Sequence, residues 1–250
     1  MAGHSHSKNI MHQKGKEDAK KAKIFNKLAR EITVSCKQGA PDPAANPRLR
    51  AAIADARKAN MPRDRIEKAI KSAQPGSADN PNYEEVRYEA YGPGGSALII
   101  EALTDNRNRT ASEIRTALTK LGGHLGETNS VSFLFDRVGE IVYSATAASS
   151  DAMLEAVIDA GGENVESGAE AHAVTTSVED FGAVRSALEK KLGEPQSAKL
   201  IWKPKSLVPI AGDAAQDLIK LLDTLEDDDD VQSVTGNYDI AEAEWQKLAS

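Results

Sequence analysis

The sequence has little of the chemistry that marks secreted, membrane-spanning or catalytic proteins. Its 250 residues contain one cysteine, Cys36, so a disulfide framework is excluded and a reducing, intracellular compartment is expected. No run approaches the roughly 20 apolar residues of a membrane-spanning helix, and the N-terminus lacks the apolar core of a signal peptide. We therefore expect a cytoplasmic protein.

Aromatic residues are scarce as well, at 4% of the chain, and the strands predicted within residues 139–202 lack the paired aromatics on which RNA-recognition domains stack bases. No Ser/His/Asp or Cys/His arrangement is evident, and His4, His6 and His12 do not follow a metal-ligand spacing. We expect no enzyme activity, no catalytic residue, no cofactor, no metal site and no small-molecule substrate.

Charge is present in quantity but is distributed unevenly, although the formal net charge is only −7. Residues 1–75 contain 17 Lys and Arg against 7 Asp and Glu, whereas residues 76–250 contain 14 against 31. A basic N-terminal block on an acidic body favours contact with a polyanion at one end of the molecule.

The first predicted helix, about residues 17–37, has two different faces. Basic side chains recur every three or four residues and form one narrow row, here called the basic stripe: Lys16, Lys20, Lys23, Lys27 and Arg30. An apolar row falls on the opposite side and consists of Phe25, Leu28, Ile32 and Cys36. Because neighbouring like charges repel, a polyanion along the stripe is favoured over the alternative of a solvated lysine face.

Two shorter helices are predicted after the first one. Asn46 is a good cap for a second helix that has Pro47 at its first position, and the NMP sequence at residues 60–62 separates it from a third. Apolar residues recur at helical spacing in both: Leu49, Ala52, Ile53, Ala56, Ile66, Ala69, Ile70 and Ala73. The pattern predicts a three-helix bundle, preceded by a mobile arm over residues 1–15.

Beyond a linker at residues 74–82, strands and helices alternate. Strands are predicted at 84–90, 96–104 and 130–136, with a helix at 108–121. A complete β-α-β-β-α-β pattern follows over 139–202, which is the ferredoxin-like unit. The remaining elements are a strand-like piece at 207–210, a helix at 213–225 and a strand at 231–237.

These patterns predict an α+β multidomain protein, in which a three-helix bundle precedes two α/β ferredoxin-like domains. The C-terminal helix and strand supply what the 84–136 half lacks, so we expect the third domain to be inserted into the second. The predicted domains are 1–75 (basic and helical), 81–136 plus 205–250, and 137–204. Independent domains in series are the alternative.

Three polar segments need separate interpretation. The glycine-rich turn at 92–95 lies between strands with no helix after it, so a hairpin turn is favoured over a phosphate-binding loop. Arg107 and Arg109 follow a strand end, and the sequence leaves open an RNA or partner contact or a locally paired turn. The acidic segment Glu226–Asp230 is predicted to be a solvated loop without a metal.

Long stretches of this sequence resemble the YebC family. They include the opening residues, beginning MAGHSHSKNIMHQKGKEDAKKAKIF, and the words YEAYGPGGSALIIEALTDNRNRT and GETNSVSFLFDRVGEI. The resemblance covers nearly the whole chain. It implies a helical N-terminal domain followed by two α/β domains, one inserted in the other. It also implies regulation of gene expression, either as a DNA-binding transcriptional regulator or as a ribosome-associated translation factor, and offers no catalytic residues.

Three functions are therefore compared. We favour a nucleic-acid-binding translation factor that contacts ribosomal RNA, because no helix-turn-helix recognition helix is evident. A DNA-binding transcriptional regulator and a protein-interaction adaptor that uses the acidic domains are the alternatives. We expect a monomer without membrane contact. The expected nucleic-acid-binding residues are Lys8, Lys14, Lys16, Lys20, Lys21, Lys23, Lys27, Arg30, Lys37, Arg48, Arg50, Arg107 and Arg109.

Charge reversal within the basic stripe tests this interpretation. Replacing Lys20, Lys23 and Lys27 by Glu should abolish nucleic-acid binding without unfolding the bundle, because these side chains lie opposite the apolar row. Binding is measured by electrophoretic mobility shift, and folding by circular dichroism. Retained binding with an unchanged spectrum would show that the stripe is not the contact surface.

Overall fold

The computed structural model describes residues 17–74, 77 and 82–249, with side chains described from residue 21 to residue 246 except in the linker gaps. The predicted arm at 1–15 and much of the predicted linker lie outside these residues. The described residues divide into two compact units, one formed by 17–132 together with 207–249, and the other by Phe133–Ser206. The three-domain boundaries given above stay a prediction.

Three helices begin the first unit, and they match the predicted bundle: α1 Glu17–Gln38, α2 Pro47–Lys58 and α3 Arg63–Ser72. Their common core joins the apolar row of α1 to the predicted apolar residues of the other two helices. Ile32, Leu49 and Ala56 are fully buried in it, and Cys36 is a free, buried thiol of the same core. The prediction that α1 packs through this side is confirmed.

Asn46 connects the end of α1 to the start of α2. Its side chain accepts a hydrogen bond from the Leu49 N–H at 3.0 Å, as predicted for a helix cap, and donates to the carbonyls of Ser35 and Ala40 at 2.8 Å each. Pro47 follows as the first helical residue, where its missing N–H costs nothing. One buried amide therefore fixes both the cap and the turn before it.

A four-stranded antiparallel sheet forms the rest of this unit, in the order β3-β1-β2-β9. Its strands are β1 Glu84–Tyr91, β2 Ala97–Thr104, β3 His124–Leu125 and β9 Val231–Gly236. Helices α4 (Arg107–Lys120) and α7 (Gly212–Glu226) pack on it through Ile114, Leu118 and Leu218. The C-terminal strand β9 thus pairs with β2 although the Phe133–Ser206 unit lies between them in sequence.

The glycine-rich turn joins β1 to β2 as the predicted hairpin. Its short 3₁₀ segment, Pro93–Gly95, contains Gly94 at φ 69° and Gly95 at φ 78°, a conformation that favours glycine. Smaller elements complete the unit. The predicted strand-like piece at 207–210 is β8 (Val208–Ile210), which pairs in parallel with β10 (Tyr238–Ile240). The sequence did not predict β10 or the last helix, α8 (Glu242–Ala249).

The second unit is the predicted ferredoxin-like β-α-β-β-α-β fold. Its antiparallel sheet has the order β5-β6-β4-β7. The elements in chain order are β4 Phe135–Ser144, α5 Ser150–Ala160, β5 Asn164–Ser167, β6 Ala171–Thr176, α6 Phe181–Leu192 and β7 Ser197–Pro204. Ile141, Met153 and Leu188 are fully buried between the sheet and the two helices.

The predicted strand at 130–136 is wrong. A 3₁₀ turn occupies Ser132–Leu134, and β4 then runs without a break from Phe135 to Ser144. The reason is that β7 pairs along β4 from Phe135 opposite Pro204 to Val142 opposite Ser197. This partner lies about 55 to 69 residues away in sequence, so local alternation could not show that the two apolar runs form one strand.

Glu89 holds the segment before that turn in place. Its carboxylate is 3% exposed and accepts hydrogen bonds from the backbone N–H groups of Asn129, Val131 and Ser132 at 2.8–3.0 Å. Burial alone would raise the pKa of Glu89, but these three N–H groups and the nearby Arg87 outweigh it and lower the pKa.

Glu89→Gln should therefore destabilise the first unit by about 2 kcal/mol, because an amide NH₂ replaces one of the oxygens that face these N–H donors. Urea unfolding at neutral pH measures the loss. Glu127→Gln, at an exposed position of the same segment, is the control and should change stability by less than about 0.5 kcal/mol. Equal stability of the two variants would contradict this role for Glu89.

Candidate nucleic-acid interface

The predicted cations fall into three groups in the structure. Lys8, Lys14 and Lys16 lie outside the described residues, and Lys20 lies in α1 with its side chain undescribed. Of the rest, Lys21, Arg50, Arg107 and Arg109 are exposed. The half-buried ones are Lys23, Lys27, Arg30, Lys37 and Arg48.

The described part of the basic stripe contacts the acidic segment. Lys23 donates to the Asp227 carbonyl at 3.0 Å and lies 3.2 Å from the Asp227 carboxylate. Lys27 donates to the Glu226 carbonyl at 2.6 Å. These two carbonyls belong to the C-terminal end of α7, where helix carbonyls lack partners and a positive charge is favourable. The lysines therefore cap α7 from another helix.

Arg30 continues this contact one turn further along α1. Its guanidinium bonds the Asp230 carboxylate, donates to the Leu103 carbonyl at 3.0 Å and lies 5.1 Å above the centre of the Tyr83 ring. Its side chain is 17% exposed, so this charge is largely removed from water and depends on its partners. Arg30 thus connects α1 to β2 and to the acidic segment.

Asp230 is the central acceptor of this region. Its carboxylate accepts from Arg109 at 2.7 Å, from Thr110 at 2.7 Å and from Thr104 at 3.1 Å, in addition to Arg30. Burial raises the pKa of Asp230, but the hydrogen bonds from Arg109, Arg30 and Thr110 outweigh it and lower the pKa to about 2. The carboxylate is therefore ionised throughout the physiological pH range.

The prediction of a solvated loop at 226–230 is consequently wrong. Asp230 is 3% exposed, and its carbonyl accepts the Leu103 N–H at 2.8 Å, which extends the pairing at the edge of β2. A run of acids is predicted to be solvated because no residue adjacent to it in sequence carries a neutralising positive charge. Here the neutralising cations come from α1 and α4, about 200 and 120 residues earlier.

Burial also affects Lys27, on the α1 side of the contact with the acidic segment. Burial lowers the pKa of Lys27, and the surrounding carboxylates of the acidic segment, Glu226 first, oppose that shift only in part. The acidic segment therefore offsets part of the desolvation of the Lys27 ammonium group.

Arg107 and Arg109 are locally paired. Arg109 bonds Asp105 at 2.9 Å as well as Asp230, and its pKa is raised, chiefly by the hydrogen bond to Asp230. Arg107 lies 3.8 Å from Glu84 and remains mostly exposed. Of the two interpretations left open above, the structure displays the locally paired turn; a contact with nucleic acid stays a prediction.

Arg48 is engaged in a similar way. It binds both oxygens of Glu31 at 2.7 and 3.0 Å and also reaches Glu85, which connects α1 and α2 to the start of β1. Burial lowers its pKa, but the bonds to these two carboxylates raise it overall. Arg50 donates to the Pro43 carbonyl at 3.1 Å and keeps an exposed guanidinium.

Other cations are more accessible than those of the stripe, and the predicted site did not include them. Arg57 on α2 and Lys68 and Lys71 on α3 are exposed, and none forms an ion pair or side-chain hydrogen bond with another described residue. Lys68 and Lys71 are three residues apart and so share one face of α3. The sequence signal that could have identified Lys68 and Lys71 is their helical spacing on the side of α3 opposite the buried Ile66 and Ala69.

An open cleft of about 480 Å³ borders the contact between α1, α4 and the acidic segment. Carboxylate oxygens of Glu113, Asp228 and Asp230 lie within 4.8 Å of one another in it, an arrangement that the linear run of acids did not show. Both oxygens of Asp230 already accept from guanidinium groups, so a cation there would compete with Arg30 and Arg109. The arrangement is better suited to joining the helices to the sheet than to holding a metal.

Asp230→Asn should cost about 2 kcal/mol of folding free energy at neutral pH, because Arg30 and Arg109 lose their shared anion. A carboxylate whose folded pKa is lowered from 3.8 to about 2 stabilises the fold above about pH 4 and loses that effect as the pH falls toward 2. Urea unfolding at about pH 7, 4 and 3 should show the difference from the unsubstituted protein shrinking with pH. Asp239→Asn, at an exposed position of β10, is the control. A difference that stays constant over this range would contradict the assignment.

Comparison with known proteins agrees with this architecture. No helix among the described residues is long and apolar enough to cross a membrane. A conserved hypothetical protein from Aquifex aeolicus, known from a crystal structure, has 47% sequence identity and a TM-score of 0.84, over 95% of this chain and 98% of that chain. Residues 5–76 match the TACO1/YebC protein N-terminal domain, and residues 83–238 match the TACO1/YebC second and third domain. The chain therefore belongs to the TACO1/YebC family of gene-expression regulators.

Proposed function

We propose that this regulator acts at the ribosome as a translation factor that binds ribosomal RNA through its N-terminal helices. The observation that carries the proposal is the set of exposed cations on α2 and α3, where Arg57, Lys68 and Lys71 have no intramolecular anion among the described residues. Phosphate groups are the natural partners for such side chains. We expect the arm residues Lys8, Lys14 and Lys16 and the remaining predicted cations to contribute further contacts with the RNA.

The composition of α3 favours phosphate contact over base reading in a DNA groove. Its exposed residues include Asp64 and Glu67 beside Arg63, Lys68 and Lys71. A helix inserted in the major groove is flanked by two phosphate backbones, which would repel these acids. Folded RNA presents phosphates at separate positions on its surface, so a face of mixed charge can meet them selectively. This argument supports ribosomal RNA over duplex DNA, and our proposal places the action in the cytoplasm.

A protein contact is the second candidate, and it has its own supporting observation. Leu154 and Ile158 lie four residues apart on α5 and are 48% and 65% exposed. The exposed acids Asp151, Glu155 and Asp159 flank them. Such a face suits a basic protein with apolar side chains, which is a contact that an adaptor, or a factor seated among ribosomal proteins, would use. We include no catalytic step, in keeping with a family of regulators.

The ribosome proposal is tested with Arg57→Glu/Lys68→Glu/Lys71→Glu. This variant should lose co-sedimentation with purified ribosomes in a sucrose gradient at about 100 mM KCl. It should also bind ribosomal RNA at least about tenfold more weakly, with the log-log salt slope reduced by about 2. The control, Lys120→Glu/Lys190→Glu/Lys199→Glu, makes the same charge change at exposed positions outside the three N-terminal helices.

The outcomes separate the candidate functions. Salt-sensitive binding to ribosomal RNA that the helix variant alone loses supports the proposal. Preferential binding to a duplex DNA of equal length would transfer the assignment to transcriptional regulation. Ribosome association that survives in the helix variant and is lost in Leu154→Ser/Ile158→Ser would favour the protein contact. Equal loss in both charge-reversal variants would indicate non-specific attraction only.

A further inference from the structure

We propose that the acidic segment competes with nucleic acid for the basic stripe, so that the contact between α1 and Glu226–Asp230 is a closed state that limits binding. The inference rests on the proposed function and concerns how that same site is regulated. It begins from the fact that Lys23, Lys27 and Arg30, three of the cations expected to bind nucleic acid, already contact oxygens of this segment.

The acidic segment offers these cations what a nucleic-acid backbone would offer. Carbonyl and carboxylate oxygens of Glu226, Asp227 and Asp230 meet successive turns of α1, at contacts that include 2.6 and 3.0 Å. A phosphate backbone also presents a row of anionic oxygens to a basic helix. Because each lysine ammonium has one charge to neutralise, occupancy by the segment and occupancy by phosphate oppose each other.

The segment is held from its other side, so it does not depend on α1 for its position. Asp230 is bonded by Arg109, Thr104 and Thr110, and its carbonyl accepts the Leu103 N–H. When α1 leaves, the segment keeps these bonds and remains able to bind the stripe again. An intramolecular competitor of this kind acts at a fixed, high effective concentration.

The rim of the contact is exposed to solvent. The Lys23–Asp227 pair lies at the rim, with side chains 39% and 61% exposed, and exposed ion pairs stabilise little. The apolar core of the helices and that of the neighbouring sheet have no residue in common. The helices can therefore keep their own core when the polar contact separates. A polyanion of higher charge density can then displace the segment from the rim inward.

The test neutralises the rim of the segment and spares Asp230. In Glu226→Gln/Asp227→Asn/Asp228→Asn, the carbonyls and side-chain acceptor oxygens remain while three charges are removed. This variant should bind purified ribosomal RNA at least about fivefold more tightly than the unsubstituted full chain at about 100 mM KCl. The control Glu163→Gln/Glu170→Gln/Glu179→Gln makes the same charge change at exposed positions of the Phe133–Ser206 unit and should change the affinity less than about twofold.

A second measurement ties the effect to the stripe. When Lys23→Gln/Lys27→Gln is combined with the segment variant, the gain in affinity should fall below about twofold, because the released cations are absent. Circular dichroism and urea unfolding accompany every variant, and Asp227→Asn alone serves if the triple variant fails to fold.

Each result decides between the two proposals. No gain in the segment variant, or an equal gain in the control, overturns the competition while leaving RNA binding established. A gain that persists without Lys23 and Lys27 overturns it as well. Failure of all forms to bind ribosomal RNA overturns the proposed function and the competition with it. Binding by the segment variant but not by the unsubstituted chain would be the strongest support for a closed state.

Discussion

The first unit depends on one buried carboxylate. Asp230 gathers a guanidinium from α1, a guanidinium and a hydroxyl from α4, and a hydroxyl from the end of β2. A charge with 3% exposure is unfavourable unless it is paired and hydrogen-bonded, and these donors together stabilise Asp230 in the folded unit. Asp230 thereby specifies how helices from the N-terminal region dock on a sheet that is completed near the C-terminus.

The two faces of α1 therefore stabilise the unit through different kinds of interaction. The apolar side contributes non-directional burial with α2 and α3, whereas the charged side forms directional contacts with a helix end and with Asp230. Burial of this kind is little affected by salt, while the exposed ion pairs are screened by it. The bundle therefore has a robust core and an adjustable outer contact, which fits a surface that exchanges partners.

Much of the fold was predictable because its signals are local. The Asn46 cap, the apolar spacing of the three helices, the hairpin at the glycine-rich turn and the ferredoxin-like order all follow from residues close in sequence. The unbroken β4 and the buried acidic segment did not, since each is determined by partners about 55 to 200 residues away. For the site, the sequence identified the stripe but not its intramolecular anions. The predicted site also omitted Arg57, Lys68 and Lys71. Whether a cation is available to a partner depends on which anions of the folded chain already pair with it, and the sequence does not show this.

Because the chain is synthesised from its N-terminus, β2 leaves the ribosome well before β9, the strand with which it pairs. About 130 residues separate these strands, but the folded Phe133–Ser206 unit brings its own ends together, where the Lys205 N–H meets the Leu134 carbonyl at 3.0 Å. Folding that unit first shortens the effective loop to about 50 residues and lowers the closure cost by about 0.7 kcal/mol. The sheet and the acidic segment are nevertheless completed only near the end of synthesis. Until then, a nascent chain displays its basic helix without the anion that later covers it.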